Sequence, residues 1–293
     1  MGSTERNHRF QVPMTVRSTD ISMLDQCAGR WALTLIHEKD QAEATFFELG
    51  TTLHDRIEAA IDHDHDLDIA LAKGHASLDM WIDRVVGGVN RVLETSKRGL
   101  NTIHDDFERM LKNWFKFVHP DSDKRLDIYD DYEWPPSTEM EFYDPNKKVW
   151  GSIDAVFIGK GANPWAIVDW KSGTQKQKDS SQLHFYTYGG GYGTNIEAWF
   201  HHLDRVQPRA IIQLADPYPG DDTVEWRIEG AREAKANLCD GNMPEFNPDW
   251  YCNFCPVQDF CPADGDTRNR DKNRTELERV LPLFRPLNEP LRR

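Results

Sequence analysis

The sequence predicts an α/β domain in which helices flank a mixed central sheet. Short runs rich in β-branched and aromatic residues follow one another between residues 139 and 216, and turn residues separate them. Stretches with helical periodicity precede these runs, lie between them and follow them. Strands with helices before, between and after them are typical of this fold class.

Length and charge limit the classes of protein. The 293 residues suffice for one large domain or for one domain with an embedded helical insertion. No apolar run reaches membrane-spanning length and the N-terminus lacks a signal peptide's hydrophobic stretch, so we expect a cytoplasmic protein without membrane partners. The net charge of −14 argues against a protein that coats nucleic acid by neutralising its phosphates. It does not argue against an enzyme that binds phosphates at one local site.

The first half of the chain is predicted to be largely helical. Residues 18–33 open with N-cap residues and have helical spacing, which predicts a first helix. Residues 43–62 predict an amphipathic helix that carries His54 beside its apolar stripe. Residues 69–118 also have a helical pattern and predict a helical insertion.

The helical pattern ends before residue 137, and the β-prone runs begin after it. They predict strands over residues 139–144, 148–159, 164–173, 196–204, 209–216 and 223–230. A helix is predicted from the Ser180 cap to the glycines near residue 190, and a final one over residues 231–241, ended by Gly241.

Asp169 and Lys171 lie at the end of the apolar strand AIVDWKSG and point to the same face. Asp154, in the preceding strand, converges with Asp169 if the two strands are antiparallel. Two carboxylates, the backbone carbonyl of Trp170 and several waters would suit Mg²⁺ or Mn²⁺. Lys171 would orient the attacking water or stabilise charge on a phosphorane. The alternative is a solvated ion pair at a strand end.

Three further polar residues are candidates for the same site. Gln182 and Tyr186 are four apart, so they share one helix face and could hold a phosphate or the attacking water. An ordinary polar helix face is the alternative. His54 would add a nitrogen ligand and favour Mn²⁺, whereas the alternative is a hydrogen-bonded core histidine.

Four motifs occur in the order GTTLHDRIE, GSIDAV, AIVDWKSG and QLHFY. Together they resemble the His, Asp, Asp-x-Lys and Gln-x-x-x-Tyr motifs of the RecB-like branch of the PD-(D/E)XK nucleases. The resemblance runs from about Thr19 to Pro262 and implies a restriction-endonuclease-like core with metal-dependent hydrolysis of DNA. By this resemblance the site residues are the metal ligands His54, Asp154 and Asp169, the catalytic Lys171, and the lining residues Gln182 and Tyr186.

One position of the family motif is left open by the sequence. The resemblance implies an acidic residue on the strand before Asp154, and both Glu139 and Glu141 qualify.

The resemblance also implies an exonuclease that acts on single-stranded DNA ends in recombination, repair or processing. No G-x-x-x-x-G-K-[ST] loop is present, so we expect a stand-alone nuclease or the nuclease partner of another protein. One alternative is a CRISPR-associated or recombination-complex subunit that trims DNA only with its partners. Two further alternatives are a non-catalytic DNA-binding module and a structural protein. In the structural protein the cysteines bind zinc and the Asp-x-Lys pair occurs by chance.

The cysteines form an asymmetric set. Cys252, Cys255 and Cys261 have C-x2-C-x5-C spacing, and Cys27 lies far upstream. Four thiolates can hold Zn²⁺ or an iron–sulfur cluster. The set resembles the iron–sulfur staple of RecB-like nucleases, found in AddB-type nuclease domains and CRISPR-associated exonucleases. The resemblance implies a 4Fe-4S cluster that joins the N-terminal and C-terminal segments, with Cys239 left as a core thiol.

The predicted domain organisation follows from these motifs. Residues 1–18 are expected to be an N-terminal tail and residues 19–262 one nuclease domain, with its iron–sulfur segment at 250–262. Residues 263–293 form an Arg-rich tail, either a solvated terminus or an arm that guides strands or binds a partner.

Overall fold

The computed structural model describes residues 10–37, 45–84, 100–172, 177, 179–248, 252, 255, 257–263 and 267–287. The chain divides into two compact units, each with its own hydrophobic core. The first unit comprises Met1–Lys39, Phe142–Gly151 and Pro219–Arg293, and the second comprises Asp40–Glu141 and Ser152–Tyr218.

The described residues form both helices and strands. In chain order they are β1 (Phe10–Pro13), α1 (Ser18–Ile36), α2 (Thr45–Asp62), α3 (Leu67–Arg84), α4 (Leu100–Phe117), β2 (Ser137–Asp144), β3 (Val149–Phe157), β4 (Trp165–Ser172), α5 (Ser181–Gly189), β5 (Ile196–Leu203), β6 (Ala210–Leu214), α6 (Asp221–Cys239), α7 (Thr267–Val280) and β7 (Phe284–Leu287). None of the described helices is both long and apolar enough to cross a membrane.

Five strands form one sheet in the order β2-β3-β4-β5-β6. β4 is antiparallel to β3 and parallel to β5, and β5 is antiparallel to β6. The predicted mixed sheet is therefore confirmed. Helix α2 packs against β4, α4 packs against β5, and α5 packs against both strands. This α/β arrangement is consistent with a restriction-endonuclease-like fold.

Helices α2, α3 and α4 pack against one another in the second unit. The predicted apolar stripe of α2 is buried, as are Phe107 and Trp114 of α4. Asn113 fixes the position of α4, because its Nδ2 donates to the carbonyls of Asp204, at 2.6 Å, and Gln207, at 2.9 Å. The predicted helical insertion at 69–118 thus contains α3 and α4, and residues 85–99 lie outside the described part of the chain.

The first unit joins sequence-distant elements. β1 pairs in parallel with β7, and α1 packs against α6. The fully buried Lys235 of α6 donates from Nζ to the carbonyl of Thr15 and to Asp20 Oδ2, both at 2.8 Å. A buried ammonium is stable only when such partners replace water, so this network fixes α6 against the N-terminal segment.

The predicted strand at 223–230 is wrong, because α6 covers these residues. Val224, Ile228 and Ala231 are buried at helical spacing, whereas Trp226, at 75% exposure, lies on the solvent face. The alternation of apolar and charged residues over a short stretch imitated a strand.

The residues after 262 contain regular structure that the sequence analysis did not assign. Helix α7 and strand β7 lie in the segment expected to be an Arg-rich tail. The limits of a single nuclease domain at 19–262 stay a prediction.

Candidate active site

Two carboxylates meet at the β3–β4 pair. The antiparallel register places Ala155 opposite Val168, so the next residues, Asp154 and Asp169, are neighbours across the sheet. The backbone N–H of Trp170 donates to Asp154 Oδ2 at 2.7 Å. The Asp154 side chain is 11% exposed and that of Asp169 is 2% exposed. The structure therefore meets the condition under which the sequence predicted convergence.

Helix α2 brings His54 to these carboxylates. Its Nδ1 lies 3.5 Å from Asp154 Oδ1, and its Nε2 lies 2.9 Å from the carbonyl oxygen of Trp170. A carbonyl oxygen only accepts hydrogen bonds, so in this orientation Nε2 carries a proton, and Nδ1 faces the carboxylates. The Trp170 carbonyl thus lies at the site, as the sequence predicted, and its role as a metal ligand stays a prediction.

Glu139 completes the acidic group. Its Oε1 lies 4.0 Å from His54 Nδ1, and its Oε2 accepts a hydrogen bond from Ser152 Oγ at 2.8 Å. Glu141 is exposed. Strand alternation places both glutamates on one face, so the sequence could not choose between them. The backbone φ of Glu139 is 42°, an uncommon conformation for a residue other than glycine, and such strain is frequent at functional sites.

Lys171 lies between the carboxylates and helix α5. Its Nζ is 2.5 Å from Asp169 Oδ2 and donates to Gln182 Oε1 at 2.9 Å. Gln182 Nε2 in turn donates to the hydroxyl of Tyr186 at 2.8 Å. Because Asp169 is buried, this is not the solvated surface pair considered as the alternative. The structure brings the predicted lysine, glutamine and tyrosine into one connected row.

Burial and neighbouring charges shift the pKa values of these groups. Burial alone would lower the pKa of His54, but the neighbouring carboxylates, Asp154 above all, raise it to about 9. Burial and the Asp154 charge raise the pKa of Asp169 to about 6, although Lys171 opposes this shift. Burial also raises the pKa of Glu139, with Asp154 adding to the effect. For Asp154, His54 and Lys171 overcome desolvation and hold the pKa below its ordinary value.

The arrangement fits a divalent cation. One ligand atom from each of His54, Glu139 and Asp154 lies within 4.8 Å of the other two. Carboxylate oxygens with one imidazole nitrogen suit Mg²⁺ or Mn²⁺, and the nitrogen favours Mn²⁺. A bound cation would also relieve the repulsion that raises the pKa values of Asp169 and Glu139.

The cysteines predicted as a cluster site all belong to the first unit. Cys27 interrupts α1 with a non-helical backbone, φ −166° and ψ 104°, and its Sγ accepts from the backbone N–H of Arg30 at 3.3 Å. Burial raises the pKa of Cys255. Cys261 and Cys239 pack against the core of the unit. The iron–sulfur assignment stays a prediction.

The sequence comparisons agree with this geometry. The model of the PD-(D/E)XK nuclease superfamily matches residues 18–262, a range that includes every site residue described above. Comparison with curated proteins gives no match.

Proposed function

The chain belongs to the PD-(D/E)XK nuclease superfamily, and from this premise we propose that it is a RecB-like, divalent-metal-dependent deoxyribonuclease that hydrolyses phosphodiester bonds at single-stranded DNA ends. The single observation that carries the proposal is the meeting of His54, Glu139 and Asp154 beside the Asp169–Lys171 pair. Membership of the superfamily supports metal-dependent cleavage of nucleic acid, whereas the end preference rests on the motif resemblance.

The metal ligands in this proposal are His54, Asp154, Asp169 and the Trp170 carbonyl, with Glu139 as a further oxygen donor. When bound, Mg²⁺ or Mn²⁺ supplies Lewis acidity to the phosphodiester and makes water a stronger acid. In the metal-free protein the Trp170 carbonyl accepts the Nε2 proton of His54, whereas Nδ1 faces the carboxylates. The carbonyl can therefore ligate the same ion as His54 only if this hydrogen bond breaks.

Lys171 has the chemistry of the electrostatic stabiliser. Its ammonium is anchored on Asp169 and Gln182, so it is positioned before substrate binds. Such preorganised charge stabilises a phosphorane transition state without reorganisation during the reaction. Tyr186 orients Gln182 and thereby acts as a positioning residue.

We also propose that Cys27, Cys252, Cys255 and Cys261 hold a 4Fe-4S cluster, with Zn²⁺ as the less favoured occupant. A contact beside Cys27 supports it, because the backbone N–H of Gly29 donates to the carbonyl of Glu245 at 2.7 Å. The helix that carries Cys27 thereby meets the part of the chain that leads to Cys252. The break in α1 at Cys27 leaves its sulfur among backbone partners rather than within a regular helix face.

A nuclease assay on matched variants tests the catalytic proposal. End-labelled linear and closed circular single-stranded DNA are incubated with Mg²⁺ or Mn²⁺ and with wild type, Glu139→Gln or Glu141→Gln. We expect release of nucleotides from linear DNA only, a large loss in Glu139→Gln, and wild-type rates in Glu141→Gln. Cleavage of circles would contradict the end requirement, and equal rates in the two variants would contradict the site.

A further inference from the structure

Two hydrogen-bonded contacts tie the connection between β4 and α5 to strand β6. Residues 173–180 form this connection, of which the structure describes Gln177, Asp179 and Ser180. At the first contact the backbone N–H of Gln177 donates to Gln213 Oε1 at 2.8 Å, and Gln213 Nε2 donates to the carbonyl of Gln177 at 2.9 Å. One side-chain amide thus binds both backbone polar groups of Gln177, as a neighbouring strand would.

The second contact lies just after β6, at Asp216. Its backbone N–H donates to Ser180 Oγ at 2.8 Å, and its Oδ2 accepts a hydrogen bond from the same hydroxyl at 3.2 Å. Its carbonyl accepts from His184 Nε2 at 3.0 Å. Ser180 is buried and is the N-cap residue of α5, where a serine hydroxyl commonly binds a backbone N–H of its own helix. Here the hydroxyl binds Asp216 instead, so it fixes where α5 begins relative to β6.

Both contacts bear on the row of Lys171, Gln182 and Tyr186. Lys171 belongs to β4 and Gln182 to α5, so the 2.9 Å hydrogen bond between them depends on the position of α5 over the sheet. His202 of β5 is the register partner of Lys171, and its Nε2 donates to Gln213 Oε1 at 3.2 Å. The Gln213 side chain is therefore held from the strand beside Lys171.

We infer that Gln213 and Ser180 are positioning residues for phosphodiester cleavage, which act by holding α5 so that Gln182 keeps the Lys171 ammonium in place. The inference rests on the proposed function, in which this ammonium stabilises the phosphorane. Such stabilisation depends on charge that is fixed before the reaction. A displacement of about 1 Å is enough to cost roughly 100-fold in rate, even when the substitution is remote from the reacting atoms. The alternative is that both contacts stabilise only the fold.

Cleavage kinetics on single-stranded DNA test the inference, with Gln213→Ala, Ser180→Ala and the control Gln207→Ala. Gln207 is exposed on the β5–β6 turn, so its variant should match wild type. In the other two variants, kcat should fall roughly 10–100-fold while KM and the affinity for Mn²⁺ stay close to wild type, because the proposed metal ligands belong to α2, β2, β3 and β4. Wild-type kcat in both variants would overturn the inference.

Double variants separate positioning from stability. Gln182→Ala removes the contact that Gln213 and Ser180 position. Adding Gln213→Ala or Ser180→Ala to it should therefore lower kcat no further, since the effects of residues that act through one contact are not additive. A purely structural role would lower the kcat of Gln182→Ala by the same factor as that of wild type, and this result would contradict the inference.

Hydrogen exchange measured by mass spectrometry gives a readout that needs no cleavage. In Gln213→Ala and Ser180→Ala, the backbone amides of α5 should exchange about tenfold faster than in wild type, whereas those of α2 should exchange as in wild type, which shows that the variants remain folded. Equal exchange of α5 in wild type and both variants would refute the inference. If wild type cleaves no DNA although the exchange responds as expected, the proposed function is wrong and the contacts serve the fold alone.

Discussion

The pH dependence of metal binding follows from the state of His54. Its pKa is raised from 6.5 to about 9 by Asp154, Asp169 and Glu139 in the metal-free protein, so near pH 7 the imidazole is charged. A ligating imidazole must be neutral, so binding of Mn²⁺ has to release this proton. Because the folded metal-free state holds the proton up to about pH 9, metal affinity rises with pH through that range.

The size of the effect can be worked out from the same shift. Between pH 7 and the pKa of about 9, each pH unit should strengthen Mn²⁺ binding about tenfold, which amounts to about 3 kcal/mol over the interval. Asp169, with a pKa of about 6, is already mostly ionised at pH 7 and adds little to this slope. Above pH 9 the affinity should become independent of pH.

Calorimetric titration with Mn²⁺ measures the proton directly. Repeating the titration at pH 7.5 in buffers with different ionisation enthalpies should give about one proton released per ion in wild type. His54→Gln should release almost none, and His63→Gln should behave as wild type. If wild type releases no proton and its affinity is flat between pH 7 and 9, His54 is not a ligand and the assignment is refuted.

Three other perturbations have expected outcomes. Lys171→Ala should lower the rate of cleavage by about 10²-fold or more with Mn²⁺ affinity retained, since it removes one electrostatic stabiliser; a rate equal to wild type would contradict its role. Cys27→Ala should lower iron content and the free energy of unfolding, whereas Cys239→Ala should change neither appreciably; measuring iron after anaerobic purification separates them. Burial lowers the pKa of His201 to about 3, so between pH 6.5 and 3 this histidine binds a proton in the unfolded chain but not in the folded protein. The free energy of unfolding should therefore fall as pH drops below 6.5. In His201→Gln that fall should be shallower by up to about 1.4 kcal/mol per pH unit, as judged from urea unfolding at several pH values.

The sequence predicted the parts of the site that depend on local periodicity. Asp169 and Lys171 share a face because strands repeat every two residues, and Gln182 and Tyr186 share a face because helices repeat every 3.6. The meeting of Asp154 with Asp169 needed one further fact, the antiparallel direction of β3 and β4, which no local pattern reveals.

Other features depend on tertiary structure and could not be predicted. Glu139 is distinguished from Glu141 by a left-handed backbone that interrupts strand alternation. Residues 223–230 of the helix over Asp221–Cys239 were mistaken for a strand, because the buried face of this part becomes visible only when the partners of Val224 and Ile228 are known. His75 Nδ1 lies 2.8 Å from His104 Nδ1, although residues 85–99 separate their helices in the sequence. No local pattern predicts this contact.

The parallel pairing of β1 with β7 has a consequence for how the protein folds. Phe10 pairs with Phe284, so this small sheet cannot form until residue 284 has left the ribosome. The whole second unit lies in the sequence between these strands and is synthesised before β7. Closing so long a loop is entropically costly and slow, so the first unit should fold last. During synthesis, β1 is therefore an unpaired strand edge, open to pairing with another nascent chain.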